Sequence, residues 1–319
     1  MPVAVEVKNL VKRYKKATRN AVDDVSFSVG EGEFFTLLGP NGAGKTTIIS
    51  ILTTTLLKTG GTVKIDGRDI DTDESEIRER IGVIFQAPSI DQNLTAEENI
   101  RLHASLYGLY TFMPAFSLMS QKYKTQVLEL AELIGIKQAL FDPIKTYSGG
   151  MKRKLEIVRG LMHKPSVLFL DEPTTGLDPV SRRDLWRYLH EVRHREGTTV
   201  FLTTHYLDEA EEADHVCVID EGKVLIYGTP TDMKGRLVQE YLVLDADDRD
   251  ALVGDLEPWR SRIENGAARP LRIRLDEDAR AQEIIRAASV PLSYLDIERP
   301  TLEEAYVKLI EKNDEDKPV

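Results

Sequence analysis

Gly39-Pro40-Asn41-Gly42-Ala43-Gly44-Lys45-Thr46 stands between the short apolar run Phe34 to Leu38 and a helical pattern carried by Ile48, Ile49, Leu52 and Leu56. It matches G-x-x-x-x-G-K-[ST] without a mismatch, in the strand-then-helix setting that motif requires. Glycines there let backbone N–H groups turn inward, and the N-terminus of the following helix adds positive potential for phosphate oxygens. Lys45 is expected to reach the β- and γ-phosphates of a nucleotide, Thr46 to ligate Mg²⁺, and Thr47 to add a hydrogen bond.

The rest of the chain reads as the α/β frame such a loop needs. Val3, Val5 and Val7 alternate, as do Val25, Phe27 and Val29, so both segments are expected to be strands with one buried face. Ile81 to Phe85, Val167 to Leu170 and Thr198 to Leu202 are further strands, and Val167 to Leu170 is apolar enough to be covered on both faces. The period is helical from about Thr95 to Gly135 and from Ser181 to Arg195. Strands alternating with helices imply a mostly parallel sheet. At 319 residues the chain suggests one large and one small domain, and its character shifts beyond Gly235. We expect domains over 1–235 and 238–319. In the second, Tyr241 to Leu244 and Leu271 to Leu275 are strand-like around the helical Arg249 to Ile263. Pro300 precedes a capping box, Thr301 to Glu304, opening a helix with Leu302, Tyr306, Leu309 and Ile310; Glu311 to Val319 is expected to fray.

A second chemical station follows from Val167-Leu168-Phe169-Leu170-Asp171-Glu172, an apolar strand that delivers two adjacent carboxylates at its C-terminal end. Ligands of α/β sheets collect at that edge. Asp171 can hold Mg²⁺ through water, and Glu172 can polarise the water that attacks a γ-phosphate. Alone, an Asp-Glu pair after a strand is a solvated loop; beside a phosphate-binding loop it is an acid pair with work to do.

Tyr147-Ser148-Gly149-Gly150-Met151 names the pattern. The chain resembles the nucleotide-binding subunits of ABC transporters, whose signature is usually L-S-G-G-Q; Ser148 lies 23 residues before Asp171 (171 − 148). Tyr147 stands for Leu, and Met151 for Gln, which removes a side-chain amide. The likeness spans roughly Val3 to Met233 and implies a P-loop NTPase of ABC type. Its core would be a parallel sheet with an antiparallel β-subdomain and a helical subdomain at about 90–160, followed here by a small α+β C-terminal domain. The nucleotide would be ATP. In such subunits the positions of Ser148, Gly149 and Gly150 contact the γ-phosphate held by the other subunit's P-loop. Tyr14 matches the aromatic that stacks on adenine. Gln86 matches the glutamine that senses Mg²⁺ and the attacking water, and His205 the histidine that hydrogen-bonds the γ-phosphate. Asp178, in Gly176-Leu177-Asp178, matches the polar contact of the loop that crosses between subunits. The implied catalytic set is Glu172, His205 and Gln86, with Thr46, Gln86 and Asp171 about the metal. Pro300 to Tyr306 and Ser148 to Leu155 are similar to daunorubicin-resistance-type exporter ATPases.

Composition narrows the partners. A formal net charge of −11 argues against general nucleic-acid binding. One cysteine, Cys217 between Val216 and Val218, excludes a disulfide framework and is expected in a buried strand of a protein in a reducing compartment. Leu102 to Gln121 has no Asp, Glu, Lys or Arg, but His103, Gly108 and Pro114 interrupt it as a spanning helix. The N-terminus reads as a strand, without a signal or lipidation motif. The resemblance therefore implies an integral membrane permease as partner, a second copy or a homologous ATPase subunit as mate, and a peripheral place on the cytoplasmic face of the membrane. Tyr107 to Met119, with Tyr110, Phe112, Met113, Phe116, Leu118 and Met119, either couples to that permease or packs inside the helical subdomain. A soluble ABC ATPase of translation would carry two ATPase units, and a repair type a long coiled coil, whereas 61 residues separate Gln86 from Ser148 (148 − 86 − 1). A P-loop kinase or GTPase would not require Ser148 to Gly150, and no N-K-x-D is present.

Overall fold

The computed structural model describes residues 2–86, 89–264, 270–276, 279–299 and 301–315. Pro300 and residues 316–319, which the sequence reading also addressed, lie outside them. The chain forms two compact units, Met1–Gly228 and Thr229–Val319. That boundary precedes the one expected at 235–238, because helix α8 (Pro230–Leu237) packs on helix α11 (Leu302–Glu315) of the second unit.

The first unit holds two sheets. Strands β1 (Val3–Lys12), β2 (Val22–Gly30), β4 (Gly60–Ile65) and β5 (Arg68–Asp69) pair antiparallel in the order β2-β1-β4-β5. Val5 and Val7 are buried as their alternation predicts, but Val3 is exposed, because the register of β1 on β2 shifts between Val3 and Val5. The larger sheet contains β3 (Phe34–Leu38), β6 (Ile81–Ile84), β7 (Val167–Asp171), β8 (Thr199–Thr204), β9 (His215–Asp220) and β10 (Lys223–Gly228), ordered β10-β9-β3-β8-β7-β6. Its pairings are parallel except β10 on β9. Every residue of β3, β7 and β8 is buried, as expected of parallel strands covered on both faces. Cys217 is fully buried in β9. The carboxyl ends of β3, β8, β7 and β6 are neighbours, so Gly39, His205, Asp171 and Gln86 arrive at one edge.

The expected helical stretch from Thr95 to Gly135 divides into α3 (Ala96–Leu106) and α4 (Gln121–Leu133). A capping box starts α3: Thr95 Oγ1 accepts from the Glu98 N–H at 3.2 Å, and Glu98 Oε2 accepts from the Thr95 N–H at 2.8 Å. Gly108, at φ +68°, turns the chain after it. Of the apolar residues between the helices, Tyr110 donates to Gln126 Oε1 at 2.6 Å, Phe116 packs edge-on against Tyr123 and Phe141, and Met119 is buried. Phe112, Met113 and Leu118 stay exposed. Tyr110, Phe116 and Met119 thus pack inside the helical subdomain, one of the two alternatives held for the segment. Among the described residues no helix is long and apolar enough to cross a membrane.

The second unit is a three-stranded antiparallel sheet of β11 (Tyr241–Ala246), β12 (Leu271–Arg274) and β13 (Leu292–Glu298), ordered β12-β11-β13. Leu242, Leu244, Leu271 and Ile273 pack with Leu252 of α9 (Arg249–Asp255) and Ile284 of α10 (Ala281–Ala287). The expected helix from Arg249 to Ile263 stops at Asp255 and continues as a 3₁₀ turn over Glu257–Arg262, with Pro258 in its first turn. The edge strand β13 escaped the sequence reading, since Tyr294 and Leu295 are both exposed and give no alternation. The capping box before α11 is present, with Thr301 N donating to Glu304 Oε2 at 3.1 Å and Glu304 N to Thr301 Oγ1 at 3.2 Å.

Candidate active site

The phosphate-binding loop joins β3 to α1 (Lys45–Leu52). Its glycines are needed for close approach. A Cβ on Gly39 would lie 2.3 Å from the Ile219 carbonyl oxygen, and one on Gly44, at φ +108°, 2.6 Å from that of Ala21. Among the described residues no backbone carbonyl accepts the N–H groups of Gly42, Gly44, Lys45 or Thr46, so a row of donors at a helix start is left for an anion. The Lys45 ammonium donates to the Gly39 oxygen at 2.7 Å and the Pro40 oxygen at 3.0 Å, and lies 3.5 Å from Glu172 Oε1. Burial pulls its pKa below the ordinary lysine range, opposed by Glu172 and Asp171.

Glu172 is the meeting point. Lys45 reaches it from the loop, the Gln86 amide donates to its Oε2 at 3.1 Å from beyond β6, and Thr175 donates to the same oxygen at 3.3 Å. His205 Nδ1, beyond β8, stands 3.5 Å from Oε1, within ion-pair range but without hydrogen-bond alignment. The residue itself takes φ +43°, a left-handed conformation uncommon outside glycine, with its N–H bound to the Thr203 carbonyl and hydroxyl at 3.1 Å each. Strain of this kind concentrates at functional sites. Asp171, one residue earlier, is buried and accepts the Thr203 hydroxyl at 2.6 Å; burial raises its pKa, only partly offset by that bond and by Lys45 and Arg153.

Of the remaining expected residues, Tyr14 is near the loop, its hydroxyl 3.2 Å from Thr47 Oγ1, with its ring half-exposed. Asn41, Gly42 and Thr46 are exposed, while Ala43 is buried. The signature forms a separate cluster. Ser148 caps α5 (Gly149–Leu161), accepting from Met151 N at 3.2 Å, and Gly150 is buried against Ser181. Asp178 caps α6 (Pro179–Glu196), accepting from the Val180 and Ser181 N–H groups at 3.0 Å and the Ser181 hydroxyl at 2.6 Å. Ser148, Gly149 and Asp178 are exposed. Among the described residues no hydrogen bond or ion pair joins this cluster to Gly39–Thr47.

Sequence reasoning passed over several residues that tie these parts together. Arg153 is buried in α5 and donates to the carbonyl oxygens of Phe85, Asp171 and Pro173; Glu209 accepts from the buried Thr174 and Thr204 hydroxyls. Both were charged residues on helices, where solvation is the ordinary expectation. Only a spacing that turned them toward the sheet would have marked them.

A phosphate loop, an acid pair at the end of a buried strand, and a glutamine and a histidine converging on the second acid define a P-loop ATPase site. Comparison with known proteins gives the family. Residues 22–175 match the ABC transporter family. The daunorubicin/doxorubicin resistance ATP-binding protein of Streptomyces peucetius is 42% identical over 242 residues, 76% of this chain and 70% of that one. The doxorubicin resistance ATP-binding protein of Mycobacterium tuberculosis is 34% identical over 323 residues, 96% of this chain and 93% of its own. A solved dimeric ATP-binding cassette, in a post-hydrolysis state with ADP and phosphate, superposes with a TM-score of 0.61 at 27% identity, covering 70% of this chain and 98% of that one. The chain belongs to the ABC transporter family, as an ATP-binding, ATP-hydrolysing subunit.

Proposed function

We propose that two copies of this chain, or one copy with a homologous subunit, enclose ATP between the phosphate loop of one and Ser148, Gly149 and Gly150 of the other, and that the closure drives a separate integral membrane permease. The observation that carries the reading is the convergence of Lys45, Gln86, Thr175 and His205 on the single carboxylate of Glu172. The exposed, separate signature cluster supports the dimer: a helix start with uncommitted glycine N–H groups is an anion site in search of a phosphate.

Within that cage the chain's residues divide the work. Lys45 and the N–H groups of Gly42 to Thr46 hold the β- and γ-phosphates, and Tyr14 supports adenine by stacking. Glu172 takes the proton of the attacking water while the water's oxygen adds to the γ-phosphorus and the bond to the ADP oxygen breaks. Gln86 orients that water, and His205 donates to the γ-phosphate. Thr46 and Asp171 fit Mg²⁺, the latter through water. Among the described residues no group of three or more His, Cys, Asp or Glu side chains assembles a metal cage, so the cation would take most of its ligands from phosphate and water, as Mg²⁺ prefers. Bound there, the ion would neutralise charge developing on the phosphate oxygens.

The relatives are named for resistance to daunorubicin and doxorubicin, which supports export of a toxic small molecule, with the chain working at the cytoplasmic face of the membrane. The exposed Phe112, Met113 and Leu118 are the surface offered to the permease. The test is the ATPase rate per chain across protein concentrations at saturating ATP: it should rise until dimers are complete. A flat rate, unaffected by Ser148→Arg, would remove the two-copy cage.

A further inference from the structure

The signature helix α5 reaches the hydrolytic residues of its own chain through one buried ion pair. Arg153 lies one turn beyond Gly149 and Gly150 and is 6% exposed; Glu156 follows at 3%. Arg153 Nη1 donates to Glu156 Oε2 at 3.0 Å and to the Phe85 oxygen at 2.6 Å. Its Nε donates to the Pro173 oxygen at 2.9 Å, and Nη2 to the Asp171 oxygen at 3.2 Å. Glu156 uses its other oxygen to accept the Ser89 N–H at 2.9 Å, and Arg159 of the same helix donates to the Ser89 carbonyl and hydroxyl. The pair therefore brackets Gln86 through Phe85 on one side and Ser89 on the other. It also brackets Glu172 through Asp171 and Pro173.

A guanidinium is a planar, rigid fork, so bonds to three carbonyl oxygens and a carboxylate fix the helix against both segments at once. A displacement of α5 must be shared by the strand ends or break buried charge-assisted bonds, which is costly. The amide of Gln86 and the carboxylate of Glu172 meet at 3.1 Å, close enough that a shift of an ångström at either segment breaks the contact.

We infer that the Arg153–Glu156 pair is a positioning element that couples the signature end of α5 to Gln86 and Glu172 of the same chain. ATP held by one subunit and pressed against its mate's Ser148 to Gly150 then sets the geometry of the mate's own hydrolytic residues. The two sites of a dimer are thereby linked, and hydrolysis is cooperative in ATP. This rests on the two-copy cage proposed above.

The test uses Arg153→Lys, which keeps the charge but loses the fork, and Glu156→Gln, which keeps the shape and the Ser89 contact but loses the charge. Each is compared with the parent chain for thermal melting, nucleotide affinity, ATP-dependent dimerisation in a Glu172→Gln background, and steady-state kcat, KM and Hill coefficient. The expected result for Arg153→Lys is a lower melt, because buried carbonyls lose their donors, but at temperatures where it is fully folded an affinity and dimer like the parent's, with kcat reduced about tenfold or more and the Hill coefficient falling toward 1. Glu156→Gln should move the same quantities less. Parent-like kcat and Hill coefficient in both folded, dimerising variants would overturn the coupling alone. Loss of melting stability and affinity in proportion, with an unchanged Hill coefficient, would reduce the pair to a structural brace and overturn it too. A parent chain that never dimerises with ATP would overturn the two-copy cage and the coupling together.

Discussion

The Gln86 side-chain amide and the Glu172 carboxylate meet at 3.1 Å although they lie 86 positions apart in the chain. The contact exists because β6 and β7 are parallel neighbours whose carboxyl ends coincide, Ile84 lying opposite Leu170. It places a neutral donor on the carboxylate that also faces Lys45 and His205.

If Glu172 is the base, Glu172→Gln removes the proton acceptor but keeps the size and the contact partners. A general base contributes about 10²–10⁴ in rate, so kcat should fall within that range while ATP still binds. A single-turnover assay separates the two; turnover close to the parent's would take Glu172 out of the role.

Lys45→Ala acts on binding. The ammonium sits within hydrogen-bond reach of two loop carbonyls and is aimed at the place a phosphate would occupy. Losing one charge-assisted contact to phosphate should weaken ATP affinity roughly 10- to 150-fold. Fluorescent-nucleotide titration measures it, and unchanged affinity would contradict the loop's assignment.

Asp178 has a role within the chain as well as the one that the family resemblance implies between chains. It caps α6 and holds Ser181, whose hydroxyl would stand 2.6 Å from a Cβ on Gly150. Asp178→Ala should lower the melting temperature by about 2–4 °C through the lost cap. Asp178→Asn, an equally good cap residue, should restore the melt while leaving ATPase activity reduced if the carboxylate also works across the dimer.

Acid should destabilise the chain through His103. Burial, with Arg159 and His163 nearby, lowers its pKa from 6.5 to about 3, and its ring packs 4.4 Å from that of Tyr107. The folded value lies below the unfolded one, so the stability this group contributes is full above pH 6.5 and is lost as pH falls toward 3. By pH 5 the loss should be about 2 kcal/mol. Across this range the parent's urea midpoint should fall relative to that of His103→Leu as pH falls; parallel curves would contradict it.

The sequence carried the parts of this protein that depend on local rules. Gly39 to Thr46 needed only a motif and its strand–helix setting, and β7 announced itself by an unbroken apolar run into Asp171 and Glu172. What it could not carry were relationships made by packing. Arg153 looked like one more cation on a basic helix until the sheet edge supplied three carbonyls for it. β13 was invisible because Ser293 to Asp296 are all exposed, so its sequence shows no alternating buried face, whereas the other edge strand, β12, buries Leu271 and Ile273. Asp178 was expected to act across a dimer, and its capping of α6 was overlooked, although the Asp-Pro step that opens the helix was there to be read.

The central claim is that each copy supplies half of a phosphate cage. Its most direct measurement is the mass of Glu172→Gln by light scattering with and without ATP and Mg²⁺, repeated with Ser148→Arg added. The account predicts a monomer without nucleotide, a dimer with it, and an ATP-bound monomer once Ser148 is replaced. A Glu172→Gln chain that binds ATP fully yet stays monomeric at every concentration, or a dimer indifferent to Ser148→Arg, would contradict it.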